Sequence, residues 1–188
     1  MKLALASSAV LAIALMTPLQ AQTMRQQTQQ NPATNAPLTQ AERLTTDQFL
    51  TKAWNINQFE IQAGQEAENK AMGSEFKNFA RMIVDDHTQM NDQLRSLVQR
   101  GRGMQLPTAL DNEHQTNLSQ LKSASERNFD RQFRTQQIKG HQEALRIFQA
   151  YASNGDNAQL RDWAQNSVAM LQRHLDRAEK LQEPSGVM

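Results

Sequence analysis

Three of the four histidines in this 188-residue chain, His87, His141 and His174, fall near the middle of three separate stretches of helical periodicity, and Glu60 falls near the middle of a fourth. Each lies on the apolar stripe of its stretch, where an imidazole or a carboxyl is costly to bury unless it is paired or bound to something. Three imidazole nitrogens and one carboxylate oxygen converging in an apolar interior suit a transition-metal ion such as zinc, copper or iron, with donors at about 2 Å. Asp86, beside His87, and Gln137, one turn before His141, are candidates for acceptors that hold an imidazole in one tautomer from behind.

The competing reading needs no metal. A buried Glu60 hydrogen-bonded to histidines across a bundle satisfies every group and fixes helix register, as buried polar clusters do elsewhere. A lone histidine on an apolar stripe is more often such a residue than a ligand, so the set at one height carries the metal reading, not its members. His114 lies away from that height on a short amphipathic stretch and is assigned to packing, as are Trp54 and Trp163. The methionines are scattered without the clustering of a soft-metal site and read as gap fillers. No Gly-rich phosphate loop, cysteine nucleophile, Gly-x-Ser-x-Gly elbow or His-Glu-x-x-His is present, which argues against a hydrolase or nucleotide enzyme.

The elements that must position these residues are long helices. Thr45 with Gln48 makes a capping-box pattern ahead of a stripe through Phe49, Ala53, Ile56, Glu60 and Ala67, which predicts a helix over about 46–70. After a break at Met72-Gly73-Ser74, with Ser74 as the expected N-cap, a second stripe predicts a helix over about 75–100. Gly101, Gly103 and Pro107 interrupt the pattern, and Leu110, His114, Leu118 and Leu121 mark a short helix within the connection. The third and fourth long helices are predicted over about 127–153 and 157–182, the last with Asp156 as N-cap and Pro184 beyond its end. Counting residues from each start puts Glu60, His87, His141 and His174 within roughly one turn of a common height. The outer connections are short and demand antiparallel neighbours, whereas the middle one, about 26 residues, can cross the bundle and let the second and third long helices run parallel. The fold class expected is all-α, a ferritin-like four-helix bundle with a long crossover carrying a short extra helix.

Residues 1–21 have the form of a secretory signal peptide: Lys2, an apolar run from Leu3 to Met16 too short to span a bilayer, and a cleavage point expected after Ala21. The mature protein is therefore expected in the periplasm or secreted, with no integral membrane segment. Residues 22–44, rich in Gln, Thr, Asn and Pro, read as a flexible tether, 45–183 as the bundle and 184–188 as a flexible tail. The absence of cysteine excludes disulfides and thiolate ligands. With 20 Lys and Arg against 19 Asp and Glu, the charge is balanced once Lys2 is removed, and Arg100-Gly101-Arg102-Gly103 is too short a basic loop to bind nucleic acid.

The stretches FLTKAWNINQFEIQAGQEA, FKNFARMIVDDHTQMNDQL, LPTALDNEHQTNLSQL, NFDRQFRTQQIKGHQEALRIFQ and LRDWAQNSVAMLQRHLDRAEKL resemble, in order and spacing, the bacterial family called domain of unknown function 4142. The likeness rests on Phe-x-x-x-Ala leading to Glu60, Asp-Asp-His at 85–87, Phe-Asp at 129–130, His141, and His174 with Leu175. It implies a ferritin-like fold and an export signal, and a family label of predicted outer-membrane protein. Di-iron sites of ferritin-like proteins use Glu-x-x-His, but Val84, Ile138 and Leu171 stand three residues before the histidines here. That departure argues against ferroxidase, oxygenase and iron-storage chemistry. Three functions follow as expectations: metal binding through Glu60, His87, His141 and His174; a metal-free structural or stress-related envelope protein; and, if the domain is an enzyme, a metal-dependent oxidoreductase.

Overall fold

The computed structural model describes residues 43–101 and 103–182. The expected signal peptide, nearly all of the expected tether and the tail lie outside the described residues. The elements are α1 (Thr46–Lys70), α2 (Ser74–Arg100), α3 (Asn112–Ser123), α4 (Glu126–Asn154) and α5 (Ala158–Lys180), with no strand among the described residues. None of the helices is long and apolar enough to cross a membrane among the described residues.

The start of α1 forms as its capping box dictates: Gln48 N donates to Thr45 Oγ1 at 3.3 Å and Thr45 N donates to Gln48 Oε1 at 3.0 Å. Two other starts differ from expectation. Gly73, not Ser74, occupies the N-cap of α2, and the turn before it is held from another helix: Met72 N and Gly73 N both donate to the carboxylate of Asp130, at 3.1 and 3.0 Å. Asn157, not Asp156, caps α5 by accepting from Leu160 N, because the Asp156 carboxylate instead accepts from Thr46 Oγ1 and Tyr151 Oη at the junction of α1 and α4.

Contacts along the helices set the topology. Thr46 meets Tyr151, Glu60 meets Gln137 and Gly73 meets Asp130, so α1 and α4 run antiparallel. Trp163 Nε1 donates to Gln93 Oε1 and His174 reaches Asp86, so α2 and α5 do the same. With the short α1–α2 and α4–α5 turns, every neighbouring pair is antiparallel, and α2 and α4 run parallel across the diagonal. The residues between α2 and α4 make this possible by crossing the bundle. Asn55 Oδ1 accepts from Asp111 N at the start of α3, and Leu118 and Leu121 bury the inner face of that helix.

The core is divided into two apolar parts. One is built around Phe49, Leu94, Phe148, Leu160 and Trp163, with Trp54 in the same cluster. The other is built around Phe76, Phe79, Leu121, Phe129 and Phe133. Between them lies a layer of buried polar side chains: Asn57, Glu60, His87, Gln137, His141 and His174.

Candidate metal centre

Three different helices deliver the histidines to that layer: α2 carries His87, α4 His141 and α5 His174, at 0, 1 and 0% exposure. One nitrogen from each ring lies within 4.8 Å of the other two. An ion at about 2.0–2.1 Å from three imidazoles separates their nitrogens by roughly 3.3–3.6 Å, so small ring rotations suffice to close the trio on a metal.

The far side of each ring is already committed. His87 Nδ1 donates to Asn57 Oδ1 at 3.0 Å, His141 Nδ1 to the Gln137 carbonyl oxygen at 2.9 Å, and His174 Nε2 to Asp86 Oδ2 at 2.7 Å. A neutral imidazole has one N–H, so these bonds leave lone pairs on His87 Nε2, His141 Nε2 and His174 Nδ1. His87 Nε2 is buried with no partner, while His141 Nε2 and His174 Nδ1 face each other at 3.2 Å. Two facing lone pairs repel unless a proton or a cation lies between them. Protonation is opposed by the surroundings. Burial and the neighbouring rings hold His87 well below the ordinary imidazole range, and the same causes, burial first, lower His141 to about 3. Burial lowers His174 as well, against the pull of Asp86. Neutral imidazoles fixed by acceptors on their outer nitrogens are the form in which histidine binds metal, so the donor set fits a transition-metal ion.

Glu60 shares the layer but stands apart from the three nitrogens. Its Oε1 is 3.9 Å from His141 Nδ1, the nitrogen that points away from the trio, and its Oε2 accepts from Gln137 Nε2 at 2.6 Å. Burial pushes its carboxyl up to about 8, against the opposing hydrogen bond from Gln137. Gly140 makes room for it, since a Cβ there would stand 3.2 Å from Glu60 Oε1. Of the four residues expected as ligands, the structure therefore gathers His87, His141 and His174 at one point and sets Glu60 behind His141.

The two expected supporting residues act, but not on the rings nearest to them in sequence alone. Asp86 is bonded to His174 of α5 rather than to its neighbour His87. Successive helical residues point about 100° apart, so Asp86 and His87 face different partners. Gln137 supports His141 through its backbone oxygen and spends its side chain on Glu60. Asn57, one turn before Glu60 on the same buried stripe, takes the place beside His87, and its residue type alone gives no sign of that role. His114 packs edge to face with Phe59 at 5.5 Å between centroids and bonds to Asp111, outside the layer.

The model of the family described as Domain of unknown function (DUF4142) matches residues 25–181. The chain belongs to that family. No curated protein matches this DUF4142 chain. Among solved structures it resembles CopM in the Cu(II)-bound form, with 21% identity, a TM-score of 0.63, and coverage of 73% of this chain and 95% of that one. CopM in the Ag-bound form (by co-crystallization) matches over the same shares with 22% identity and a TM-score of 0.61. At this identity the likeness establishes a shared helical fold.

Proposed function

We propose that this DUF4142 domain is a transition-metal-binding module whose ion is held by His87, His141 and His174 in the middle of the bundle. The observation that carries the reading is the set of lone pairs on three buried imidazoles, left facing one another because Asn57, Gln137 and Asp86 occupy the outer nitrogens. Glu60 in this reading is a supporting residue behind His141, not a ligand. The Cu(II)- and Ag-bound forms of the structural neighbour lend support, since a protein of the same fold binds such ions. The leader-like N-terminus makes an exported protein the natural setting, where metal handling or storage is the role. What the ion supplies is a Lewis-acidic centre; the chain's own part is to hold the three rings at one tautomer and to exclude water from them.

The test is a metal count. Protein purified without a polyhistidine tag, stripped with chelator and reloaded in turn with copper, zinc and iron salts, should retain about one ion per chain of the preferred metal by mass spectrometry. His87→Ala and His174→Ala should retain almost none while keeping their helical circular dichroism. Substoichiometric metal in the wild type with every ion tried would rule the reading out.

A further inference from the structure

Resting on that reading, we propose that Asn91 is the fourth ligand of the ion, through its side-chain oxygen, and that the centre is a closed site of three histidines and one asparagine that carries metal without turning over a substrate. Asn91 stands four residues after His87 on the buried stripe of α2 and is 4% exposed. An amide buried to this degree is normally hydrogen-bonded, yet Asn91 Oδ1 has no partner among the described residues. Its neighbours along the stripe, Met90 and Leu94, belong to the apolar cluster and offer it no donor. Residues four apart share a helix face, and helical side chains tilt toward the N-terminus of their helix. The amide of Asn91 therefore projects over the turn that carries His87. The same spacing brings the two histidines of a His-Glu-x-x-His helix onto one zinc ion.

The other two amides of the layer have different work. Asn57 Oδ1 accepts from His87 Nδ1, and the atom it leaves unpartnered is Nδ2, a donor with no lone pair to give a metal. Gln137 Oε1 is unpartnered as well, but its amide is tied to Glu60 behind His141. Asn91 Oδ1 and His87 Nε2 are thus two buried acceptors on successive turns of one helix face, each with nothing to accept. A cation shared between them answers both. Ions bound by three imidazoles commonly take a fourth ligand: in catalytic sites it is water or substrate at an open position, in structural sites another protein group. An amide oxygen in that fourth place shuts out water and substrate, which makes the centre one for holding an ion.

Two substitutions of Asn91 test this against a purely structural role. Asn91→Leu exchanges an unsatisfied amide for an apolar chain of similar size, so the metal-free variant should melt at or above the wild-type temperature. Its affinity for zinc(II) and copper(II), measured by competition with chromogenic chelators, should nevertheless fall by on the order of 100-fold, since even groups that only support a ligand cost about 10–100-fold. A structural asparagine would give the opposite pair of results. Asn91→Ala opens the fourth place: azide should shift the visible spectrum of its cobalt(II) or copper(II) form and leave that of the wild type unchanged. Wild-type affinity in folded Asn91→Leu, or a wild-type spectrum that responds to azide, would overturn the fourth ligand while leaving the histidine centre intact. Failure of the wild type to bind zinc(II), copper(II) and cobalt(II) alike would remove the proposed function itself.

Discussion

His141 Nε2 and His174 Nδ1 lie 3.2 Å apart with a hydrogen-bond acceptor behind each ring, the Gln137 carbonyl and the Asp86 carboxylate. The two rings thus meet lone pair to lone pair in the buried interior. An arrangement of this kind costs stability in the absence of a cation, and His87 adds to it a buried Nε2 with no partner. The bundle holds its imidazoles in a poor arrangement for packing and a good one for ligation.

Removing a ligand should therefore separate metal-linked from metal-free stability. His87→Leu deletes an unsatisfied nitrogen but orphans Asn57 Oδ1, so the metal-free variant should lie within about 1–2 kcal/mol of wild type. The wild type at a metal concentration 100 times its Kd should gain about 2.7 kcal/mol, roughly 5–10 °C in Tm for a domain of this size, and the variant should gain nothing. Differential scanning calorimetry with and without metal measures both. A wild-type Tm indifferent to metal and chelator would favour the metal-free structural reading.

Metal-free stability should peak near neutral pH, with different residues responsible for each limb. His87, His141 and His174 have folded pKa values below the ordinary 6.5, His141 at about 3, so in acid the unfolded chain binds more protons than the folded one. Their contribution is lost as pH falls below about 6.5. Glu60 is raised from 4.5 to about 8, so its protonated folded form contributes stability that is complete below about pH 4.5 and lost as pH rises through 8. Each proton of difference is worth about 1.4 kcal/mol per pH unit, and between about pH 4.5 and 6.5 the three histidines outweigh the single carboxyl. Urea denaturation in chelator near pH 5, 6.5 and 8.5 should show the maximum at the middle value. Glu60→Gln should flatten the alkaline limb; wild-type stability that instead climbs from 6.5 to 8.5 would contradict the assignment.

Asp86 offers the cleanest probe of a support to the ligands, because it is one-third exposed and its replacement does not open the core. Asp86→Asn retains an acceptor for His174 but removes the charge, and should weaken metal binding by about 10-fold; Asp86→Ala removes both and should approach 100-fold. Both should melt within about 1 kcal/mol of wild type without metal. Competition titration of the two variants reads the affinities directly, and an Asp86→Ala protein binding as tightly as wild type would detach this carboxylate from the centre.

The parts of this architecture legible in sequence are those governed by residues near one another in the chain. The capping box at Thr45 and Gln48, the stripes and the break at Met72 and Gly73 locate helix bounds to within a residue or two, and the long middle connection foretells that α2 and α4 run parallel. Height along a helix is likewise local arithmetic, which is why His87, His141, His174 and Glu60 were expected in one layer. Which side of a neighbouring ring a group reaches depends on rotation and rotamer across helices. So Glu60 lies behind His141 rather than beside its Nε2, Asp86 serves His174, and Asn57 carries no local mark of its bond to His87. Gly140 is a further case: a glycine inside a 29-residue helix weakens it, and only the Glu60 carboxyl packed against it gives the reason.

Asp130 tests whether fold and site can be uncoupled. Its carboxylate, 4% exposed, accepts from Met72 N and Gly73 N and so ties the α1–α2 turn to α4 at the end of the bundle opposite Thr46 and Tyr151. Asp130→Ala leaves two backbone donors without their charged acceptor and should cost about 2–4 kcal/mol, with Asp130→Asn losing less because one carbonyl oxygen remains. The histidine layer lies several turns away along α4, between the two apolar clusters, so metal stoichiometry should be unchanged in either variant. Urea denaturation paired with metal analysis separates the outcomes. A loss of metal in folded Asp130→Ala would mean that the turn, and with it the relative position of α1 and α2, sets the geometry of His87 against the other two rings.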